Sequence, residues 1–425
     1  KVLMRLEPRA ISLLARRLRQ GSVAISATNG KTTTAAMVAA VLDRRRIPLV
    51  HNRAGANMAG GIASTLLDAV RGDGIDGELG VFEIDEFWLA QLVDELRPRK
   101  LLLGNLFRDQ LDRYGELETI ADRWAGIVAA HGRATELVLN ADDPLVADLG
   151  RGQPRVVFFG VGDDAMALPE MQHASDSKHC RACGHAYAYD AIYLGHLGRY
   201  RCPRCGARRP EPHVRAERIV LEGTRRARFT LRVRGEAADV RLPLPGLYNV
   251  YNALGAAALC HALGVELGEI VAGLESVSAA FGRAETVALG ERELSILLIK
   301  NPAGANEVLR TLALEPDAID LLAVLNDHAA DGRDVSWVWD ADFELIADRV
   351  RRVTCAGTRA AELALRLKYA GVAPERIAVV PDLAAAFDEA RADGEGPLFA
   401  LPTYTALLAL KDLLARRGLA PEHWR

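Results

Sequence analysis

Long apolar segments are absent from this 425-residue sequence. No run approaches the roughly 20 apolar residues that a membrane-spanning helix needs, and no segment resembles a secretory signal. Cysteine is also scarce, with six in the whole chain. That number does not suit the disulfide framework of a secreted scaffold, so a reducing, cytoplasmic environment is expected.

The chain also contains few lysines, and its net charge is small. Only seven of the 53 basic residues are Lys, and the formal net charge is −3. A chain with this balance has no overall attraction to nucleic acid or to anionic lipid. Apolar residues make up 50% and charged residues 26%, which is typical of a globular protein, and the length allows about two to four domains.

Short apolar runs alternate with helical patterns from Ser22 to about Gly160. Buried strands separated by amphipathic helices predict a parallel α/β sheet with right-handed crossovers. The runs are "SVAIS", "IPLV", "LGVFEI", "KLLLGNLF", "ELVLN" and "RVVFF".

The rhythm changes between about Val161 and Ala284. β-like segments "RIVLEG", "ARFTLRV" and "ADVRLPLP" precede a helix through "NALGAAALCHALG". From about Leu294 the α/β alternation resumes with "LSILLI", "IDLLAVLN", "RRVTCA", "RIAVV" and "PLFALP". The Gly-containing segments "GVGDDAMALPE" and "FGRAETVALGERE" are the expected linkers.

A glycine and a lysine follow the first apolar run, in "SATNGKTTT" from Ser26 to Thr34. A strand that turns into a helix here gathers backbone N–H groups and the positive end of the helix around one point. Lys31 would then reach the β- and γ-phosphates of a nucleotide, and the Thr32 hydroxyl could bind Mg²⁺. The general P-loop has glycine where this chain has Ile25. A Thr-rich helix cap is the alternative interpretation.

Acidic residues end another apolar run, in "VFEIDE". Its carboxylates are Glu83, Asp85 and Glu86. A carboxylate at the end of a neighbouring strand is what a Mg²⁺ on a phosphate group requires. The two segments together favour nucleotide binding.

Four of the six cysteines form two C-x-x-C pairs. Cys180 and Cys183 are separated from Cys202 and Cys205 by 18 residues, and each pair is followed by glycine. This spacing is typical of a tetrahedral Cys₄ zinc site. Four thiolates leave no open position for water, so the zinc would be structural; a redox role is the alternative.

Arginines near these pairs could suggest nucleic acid, but no aromatic stacking pattern accompanies them, so a solvated basic face is favoured. Cys260 and Cys355 lie in apolar segments and are expected in the core. The arginines are Arg199, Arg201, Arg204, Arg208 and Arg209.

Seven segments stand in the order that Mur ligases use: "ATNGKTTT", "NRAGANMAGG", "EIDE", "NLFRDQLDRYGE", "LNADDP", "YNVYNALGA" and "FGRAE". Two longer segments, "KNPAGANEVL" and "NDHAADGRDVSWVWDADFE", together with the Cys pairs, resemble the MurT branch of that family. MurT proteins are the Mur-ligase-like subunits of lipid II isoglutaminyl synthase. The resemblance covers nearly the whole chain.

The resemblance implies a Mur-ligase-like α/β fold. A central P-loop domain with a parallel sheet would carry a Cys₄ zinc-ribbon insertion, and a Rossmann-like α/β domain would follow it. The expected boundaries are 1–160 for the N-terminal part of the central ATP-binding domain, 161–288 for its remainder with the insertion at about 178–208, and 289–425 for the C-terminal domain.

The activity implied is that of an ATP-dependent carbon–nitrogen ligase. MurT-like proteins use ATP and Mg²⁺ to phosphorylate the α-carboxylate of D-glutamate in the lipid II stem peptide. Phosphorylation gives the carboxylate a good leaving group, and ammonia then forms D-isoglutamine. A GatD-like glutamine amidotransferase subunit supplies the ammonia, so a heterodimer acting on lipid II at the inner face of the cytoplasmic membrane is expected.

The family's site residues map onto this chain by motif. Asn29, Gly30, Lys31, Thr32 and Thr33 match the phosphate loop, and Glu83 matches the Mg²⁺-facing carboxylate. Lys31 and Glu83 are therefore expected to be catalytic.

Other matches concern the rest of the nucleotide. Asn249 and Asn252 match the adenine-side pair, with helix capping as the alternative. Arg283 matches an arginine that reaches the nucleotide, and an ion pair that closes the domains is its alternative. Lys300 and Asn301 stand where other Mur ligases carry a nucleotide-contacting acidic motif.

The segment "NDHAADGRDVSW" carries the third expected catalytic residue. In MurT-like proteins the Asp before the Ser-Trp pair, here Asp334, completes a catalytic triad with Cys and His of the amidotransferase subunit. A carboxylate that fixes one imidazole tautomer activates the neighbouring thiol. A plain Asp- and Gly-rich loop is the alternative.

Two departures from ordinary Mur ligases stand out. Those ligases have a metal-binding His after the Asp at position 109, where this chain has Gln110, so a second Mg²⁺ site is in doubt. They also use a carbamylated Lys in the central domain, whereas Lys178 is the only Lys between positions 101 and 299. Both departures are consistent with ammonia as the nucleophile.

Two alternative functions remain open from the sequence. One is a Mur or folylpolyglutamate-type ligase that adds a whole amino acid. The other, from a different class, is a zinc-ribbon ATPase that binds nucleic acid, which salt-dependent oligonucleotide binding would support.

Overall fold

The structure is a computed structural model that describes residues 2–52, 55–109, 117–172, 175–277, 283–290, 292–392, 394 and 396–420. Its strands form two large sheets, one in each half of the chain. Among the described residues, no helix combines the length and the apolarity needed to cross a membrane.

A nine-stranded sheet organises the first unit, with the order β13-β12-β11-β8-β7-β6-β1-β5-β2. The strands of this unit are β1 Ser22–Ser26, β2 Leu49–His51, β3 Val70–Arg71, β4 Gly74–Ile75, β5 Leu79–Glu83, β6 Lys100–Leu103, β7 Glu136–Asn140, β8 Val156–Val161, β9 Ala188–Leu194, β10 Leu197–Arg201, β11 Val214–Glu222, β12 Arg226–Val233 and β13 Glu236–Leu242. In the spatial order of the sheet, neighbouring strands are parallel from β2 at one edge as far as β11. At the other edge, β11, β12 and β13 are antiparallel to one another. The predicted parallel α/β sheet is confirmed.

Helices cover both faces of this sheet. They are α1 Val2–Leu6, α2 Ala10–Ala15, α3 Lys31–Arg44, α4 Ala59–Asp68, α5 Leu89–Leu96, α6 Leu117–His131, α7 Pro144–Asp148, α8 Leu247–Ala262 and α9 Leu267–Glu275. One core contains side chains of α3, α8 and α9, and the other contains side chains of α2, α4, α5, α6 and α7. Because β1 lies between these layers, all five of its residues are buried, which explains its continuous apolar run.

The strand order reverses next to β1. The chain places β2 and β5 on one side of β1 and β6, β7 and β8 on the other. The carboxyl end of β1 is therefore a topological switch point, where open α/β sheets bind their ligands in a crevice. The loop from β1 to α3 lies at this point and contains the predicted phosphate loop.

A hairpin of β9 and β10 is inserted between β8 and β11. The first Cys pair precedes β9, and the second follows β10 directly. Sequence analysis predicted no strands here, because the segment lacks a long apolar alternation. Isolated bridges join the ends of each Cys loop, from His179 to Ala186 and from Arg201 to Arg208.

A six-stranded sheet organises the second unit, with the order β14-β15-β19-β16-β17-β18. Its strands are β14 Arg283–Leu289, β15 Arg292–Leu297, β16 Ile319–Val324, β17 Val350–Ala356, β18 Ile377–Val379 and β19 Leu398–Pro402. Its helices are α10 Pro302–Leu312, α11 Ala360–Tyr369, α12 Leu383–Arg391 and α13 Tyr404–Arg416, with short 3₁₀ helices at Ser336–Asp340, Phe343–Arg349 and Pro374–Arg376. Apolar cores lie on both faces of the sheet.

The segment interpreted as a second linker contains a strand instead. β14 begins at Arg283 and pairs antiparallel with β15, so it is the edge strand of the second sheet. Its short sequence has little apolar patterning, and its strand conformation depends on pairing with β15 across the turn at Gly290. The linker prediction was wrong for this reason.

Candidate functional site

The loop between β1 and α3 requires glycine at position 30. Gly30 has φ +86°, in the left-handed region, and a Cβ built there would lie 1.9 Å from Oδ1 of Asn252. The close approach arises because α8, which carries Asn252, packs directly against the loop. Helix α3 begins at the next residue, so its unpaired N–H groups and positive end lie at this loop.

Lys31 is buried at the start of α3 and folds back over the loop. Its Nζ donates to the carbonyl oxygen of Ala27 at 3.0 Å and to Oε2 of Glu86 at 3.0 Å. Burial opposes the charge of Lys31, but Glu86, Glu83 and Asp85 outweigh burial, so its pKa is raised. The ammonium is therefore held in the charged form that phosphate binding requires.

Glu83 ends β5, beside β1, where it pairs in register with Ile25. Its Oε1 accepts a hydrogen bond from Nδ2 of Asn57 at 3.2 Å. Its Oε2 is buried and has no hydrogen-bond partner among the described residues. A buried carboxylate oxygen without a donor is costly unless a cation or water completes it, so this oxygen fits Mg²⁺.

The loop after β6 forms hydrogen bonds with the loop between β1 and α3. Asn105 accepts from the backbone N–H of Asn29 at 2.9 Å and donates from Nδ2 to the carbonyl oxygen of Asn29 at 2.9 Å. Two residues on, the N–H of Phe107 donates to the Thr28 hydroxyl at 3.1 Å. Sequence analysis did not single out Asn105. The pairing spans 76 positions, and no local pattern indicates it.

The asparagine pair of α8 forms a chain of amide contacts toward the loop. Asn249 donates to the carbonyl oxygen of Pro245 at 2.7 Å, and Asn252 donates to Oδ1 of Asn249 at 3.1 Å. Oδ1 of Asn252 in turn accepts from the Thr34 hydroxyl at 3.4 Å. The structure thus brings Asn252 to the loop and Asn249 behind it. The side chain of Arg283 lies outside the described residues.

Residues of the second unit contact the same loop. Lys300 donates from Nζ to Oδ2 of Asp109 at 2.6 Å and to the carbonyl oxygen of Thr28 at 3.3 Å. Asn301 and Asn29 exchange side-chain amide hydrogen bonds at 3.1 and 3.3 Å. Asn301 also caps α10, where its Oδ1 accepts from the N–H of Gly304 at 2.8 Å. These contacts hold the two units together around the loop.

A cleft of about 790 Å³, counted to its open mouth, begins at this loop and continues between the two units. A cleft between two units, with apolar walls and a polar end, is a common place for a small-molecule site. Most of its walls are apolar, with Phe107 and Tyr251 from the first unit and Leu297 and Val308 from the second. Asn29, Gly30, Asn252 and Lys300 lie at its polar end.

Glu307 of α10 is a carboxylate in this largely apolar wall. Burial raises its pKa, although Arg310 opposes that effect by donating to Oε1 at 2.8 Å. Glu307 lies within the quoted segment "KNPAGANEVL", but sequence analysis assigned it no role, because nothing in the segment indicates that this side chain lines a cleft. Glu307 therefore places a carboxylate hydrogen-bond acceptor in an apolar part of the cleft wall.

The four predicted zinc cysteines form one cluster. Sγ of Cys180 lies 3.5 Å from Sγ of Cys205, and Sγ of Cys183 lies 3.4 Å from Sγ of Cys202. All four sulfur atoms lie within 4.8 Å of one another, and none forms a disulfide. Zinc–sulfur distances of about 2.3 Å in a tetrahedron put the sulfurs about 3.8 Å apart, so the cluster fits Zn²⁺.

Asp334 lies apart from the loop, in the segment after β16. Its Oδ1 accepts from the backbone N–H of Ser336 at 2.8 Å, which stabilises the turn before the 3₁₀ helix Ser336–Asp340. Its hydrogen bonds with Ser336 lower its pKa, so the carboxylate is ionised. The residue is exposed. Trp339, five residues later, is also exposed and contacts the exposed Tyr369, with ring centroids 5.9 Å apart.

The predicted residues therefore divide into three places. The loop residues, Glu83 and the α8 asparagines lie together at the carboxyl end of β1, the cysteines lie in the insertion, and Asp334 lies on the surface of the second unit. Gln110 lies outside the described residues. Cys260 and Cys355 are buried core residues, as predicted.

Comparisons with known proteins agree with this arrangement. A family model for the MurT ligase C-terminal region matches residues 298–407, and one for the Mur ligase middle domain matches residues 25–202. The lipid II isoglutaminyl synthase (glutamine-hydrolyzing) subunit MurT of Streptococcus pneumoniae (strain ATCC BAA-255 / R6) is 33% identical, over 93% of this chain and 88% of that protein. The protein of the same name from Staphylococcus aureus (strain COL) is 35% identical, over 93% and 87%.

Solved structures show the fold at lower identity. A pseudomurein peptide ligase type C from Methanothermus fervidus matches with a TM-score of 0.73 and 22% identity, covering 95% of this chain and 80% of that chain. A Mycobacterium tuberculosis folylpolyglutamate synthase complexed with ADP and AMPPCP matches with a TM-score of 0.62 and 18% identity, covering 96% and 94%. Sequence and fold agree: the chain belongs to the MurT branch of the Mur ligase family.

Proposed function

We propose that the cleft binds ATP, with its phosphates at the loop between β1 and α3 and its base between the two units. The observation that carries the proposal is a charged, buried Lys31 close to a buried Glu83 oxygen that has no donor among the described residues. A cation would complete that oxygen, and the charge of Lys31 would attract the phosphate group that the cation accompanies. The apolar walls beyond Asn252 provide a surface for a purine ring.

The reaction is the amidation of the D-glutamate α-carboxylate of the lipid II stem peptide. Lys31 faces the γ-phosphoryl group and stabilises its negative charge as it is transferred to the carboxylate, which releases ADP. Glu83 and Thr32 are the residues that would hold Mg²⁺, which supplies charge neutralisation between the phosphates. Ammonia then attacks the acyl carbon, the bond from that carbon to the phosphate oxygen breaks, and phosphate leaves; loss of a proton from the nitrogen gives the carboxamide.

Ammonia comes from glutamine on a partner subunit. Two relatives are named as glutamine-hydrolyzing synthase subunits, and both match along nearly their whole length. Asp334 is ionised and exposed, so its carboxylate can accept a hydrogen bond from a histidine of the partner. Trp339, five residues after Asp334, and Tyr369, which contacts Trp339, are 49% and 71% exposed, and they give a docking partner an apolar anchor.

The Cys₄ cluster holds a structural zinc ion in this proposal. All four positions of the tetrahedron would be occupied by thiolates, so no position remains for substrate or water. The substrate carries a lipid, and the reaction would take place at the cytoplasmic face of the membrane.

The proposal can be tested without the partner subunit when ammonium salt is supplied as the nitrogen source. The purified chain, ATP, Mg²⁺ and lipid II should give ADP and amidated lipid II, identified by mass analysis, and hydroxylamine should trap the acyl phosphate as a hydroxamate. Turnover only with an added amino acid, which is incorporated whole, would replace this function with that of an ordinary Mur ligase.

A further inference from the structure

The tip of the β9–β10 hairpin forms part of the cleft wall. Leu194 and Leu197, on either side of the turn, line the cleft opposite α10. Gly195 has φ +56°, and a Cβ built there would lie 2.9 Å from Cε1 of Phe107. The ring of His196 also packs on Phe107, with centroids 4.7 Å apart. Since Phe107 lines the cleft as well, the turn and the cleft wall fit closely.

The second unit is attached to this tip. Nη1 of Arg310 in α10 donates to the carbonyl oxygen of Tyr193 at 2.9 Å and to Oε1 of Glu307 at 2.8 Å. Glu307 faces the cleft. One guanidinium therefore connects the hairpin, the cleft carboxylate and the helix that closes the cleft.

The other end of the hairpin carries the cysteines. Cys202 follows the last residue of β10, and five residues of strand span about 17 Å between the cysteine end and the tip. The rings of Tyr187 and Tyr189 both pack on Tyr200, with centroids 4.9 and 6.1 Å apart. The Tyr189 hydroxyl donates to the carbonyl oxygen of His196 at 2.9 Å, which ties this aromatic cluster to the turn.

A two-stranded hairpin has little stability of its own. Without a metal the four cysteines are thiols that do not cross-link the two Cys loops, whereas a metal shared by all four sulfurs would fix the cysteine end of the hairpin. From these contacts we infer that the Cys₄ site positions the hairpin tip as the outer wall of the nucleotide cleft, so that zinc and nucleotide bind cooperatively without touching. The inference rests on the proposed use of the cleft for ATP.

The coupling must act in both directions. If zinc raises the affinity for nucleotide by a given factor, nucleotide raises the affinity for zinc by the same factor. The expected factor is about fivefold or more, since energetic coupling between sites is typically 5–150-fold. ADP is the probe, because it is not consumed.

The experiment compares two glycine variants of the full chain with the wild type. Gly195→Ala strains the turn and pushes against Phe107, whereas Gly235→Ala changes an equally left-handed turn glycine, at φ +104°, with nothing within 4 Å of its Cβ. Zinc content, melting temperature and ADP affinity by calorimetry are measured for each. We expect Gly195→Ala to weaken ADP binding at least about fivefold with zinc content unchanged, and Gly235→Ala to leave it unchanged.

A second measurement uses the wild type alone. ADP affinity is measured before and after zinc removal, and zinc affinity is measured with and without saturating ADP. Equal factors in the two directions support the inference. If the wild type binds ADP but neither zinc removal nor Gly195→Ala changes that affinity, the inference is overturned while the proposed function stands. If the zinc-loaded wild type binds no ADP, the proposed function itself fails.

Discussion

Replacing Lys31 should reduce stability and activity through two separate effects. The side chains of Lys31 and Glu86 are 10% and 2% exposed, with nitrogen and oxygen 3.0 Å apart. Lys31→Met keeps an unbranched side chain but leaves Glu86 buried without its partner, beside Glu83 and Asp85. Breaking a buried pair in this way costs about 3–5 kcal/mol of the free energy of unfolding.

The effect on activity has a different origin. Lys31→Met also removes the charge that faces the transferred phosphoryl group. Losing such a contact typically lowers kcat by about 10²–10³-fold. Activity is measured with ammonium salt, so that the partner subunit does not enter, and stability is measured by urea unfolding.

A double variant separates the two effects. Lys31→Met with Glu86→Gln removes both charges of the pair, so it should recover part of the lost stability while kcat stays low. Lys411→Met is the matched control, because Lys411 and Glu285 form another buried pair at 3.0 Å in the second unit. This control should lose stability and, under conditions where it is folded, keep its kcat.

Two outcomes would refute this reasoning. Near-normal kcat in folded Lys31→Met protein would remove Lys31 from the phosphoryl transfer. An equal loss of stability in the single and double variants would show that the unpaired charge of Glu86 is not the cause of the loss.

Three further changes test other parts of the site. Gly30→Ala forces a Cβ to within 1.9 Å of Asn252 Oδ1, so nucleotide affinity measured by calorimetry should be lost; unchanged affinity would contradict the loop assignment. Asp334→Asn should abolish glutamine-dependent amidation while ammonium salt still supports it, and equal loss with both nitrogen sources would leave Asp334 only its structural role in the turn with Ser336. Metal analysis should find about one zinc per chain, which Cys205→Ser removes with a lower melting temperature; a metal-free protein of unchanged stability would contradict the zinc site.

The sequence predicted the parts of the fold that depend on local pattern. Continuous apolar runs predicted β1 and β5 because both are buried on both faces. The glycine loop was predictable because the left-handed residue Gly30 and the start of α3 occupy adjacent positions. β14 was missed because an edge strand of this kind is defined by its pairing with β15 rather than by its own pattern.

The residues that were missed in the site depend on long-range contacts. Asn105, which was missed, contacts Asn29 across 76 positions. Lys300 was named from the sequence, but its contact with Asp109, across 191 positions, was not predicted. Glu86 was recognised as acidic, but its partnership with Lys31, 55 positions away, follows only from the order of β1 and β5 in the sheet. Such contacts arise from topology and packing, which no short motif encodes.

The central claim is the transfer of a glutamine-derived nitrogen to lipid II by this chain and a glutaminase partner. The direct measurement supplies the complex with ATP, Mg²⁺, lipid II and glutamine whose side-chain amide carries heavy nitrogen, and it locates the label in the stem peptide by fragmentation mass spectrometry. We expect one heavy nitrogen per stem peptide, in the α-carboxamide of the glutamate residue, with one ADP formed for each. Label that stays in free ammonia, or lipid II that gains a whole amino acid, would contradict it.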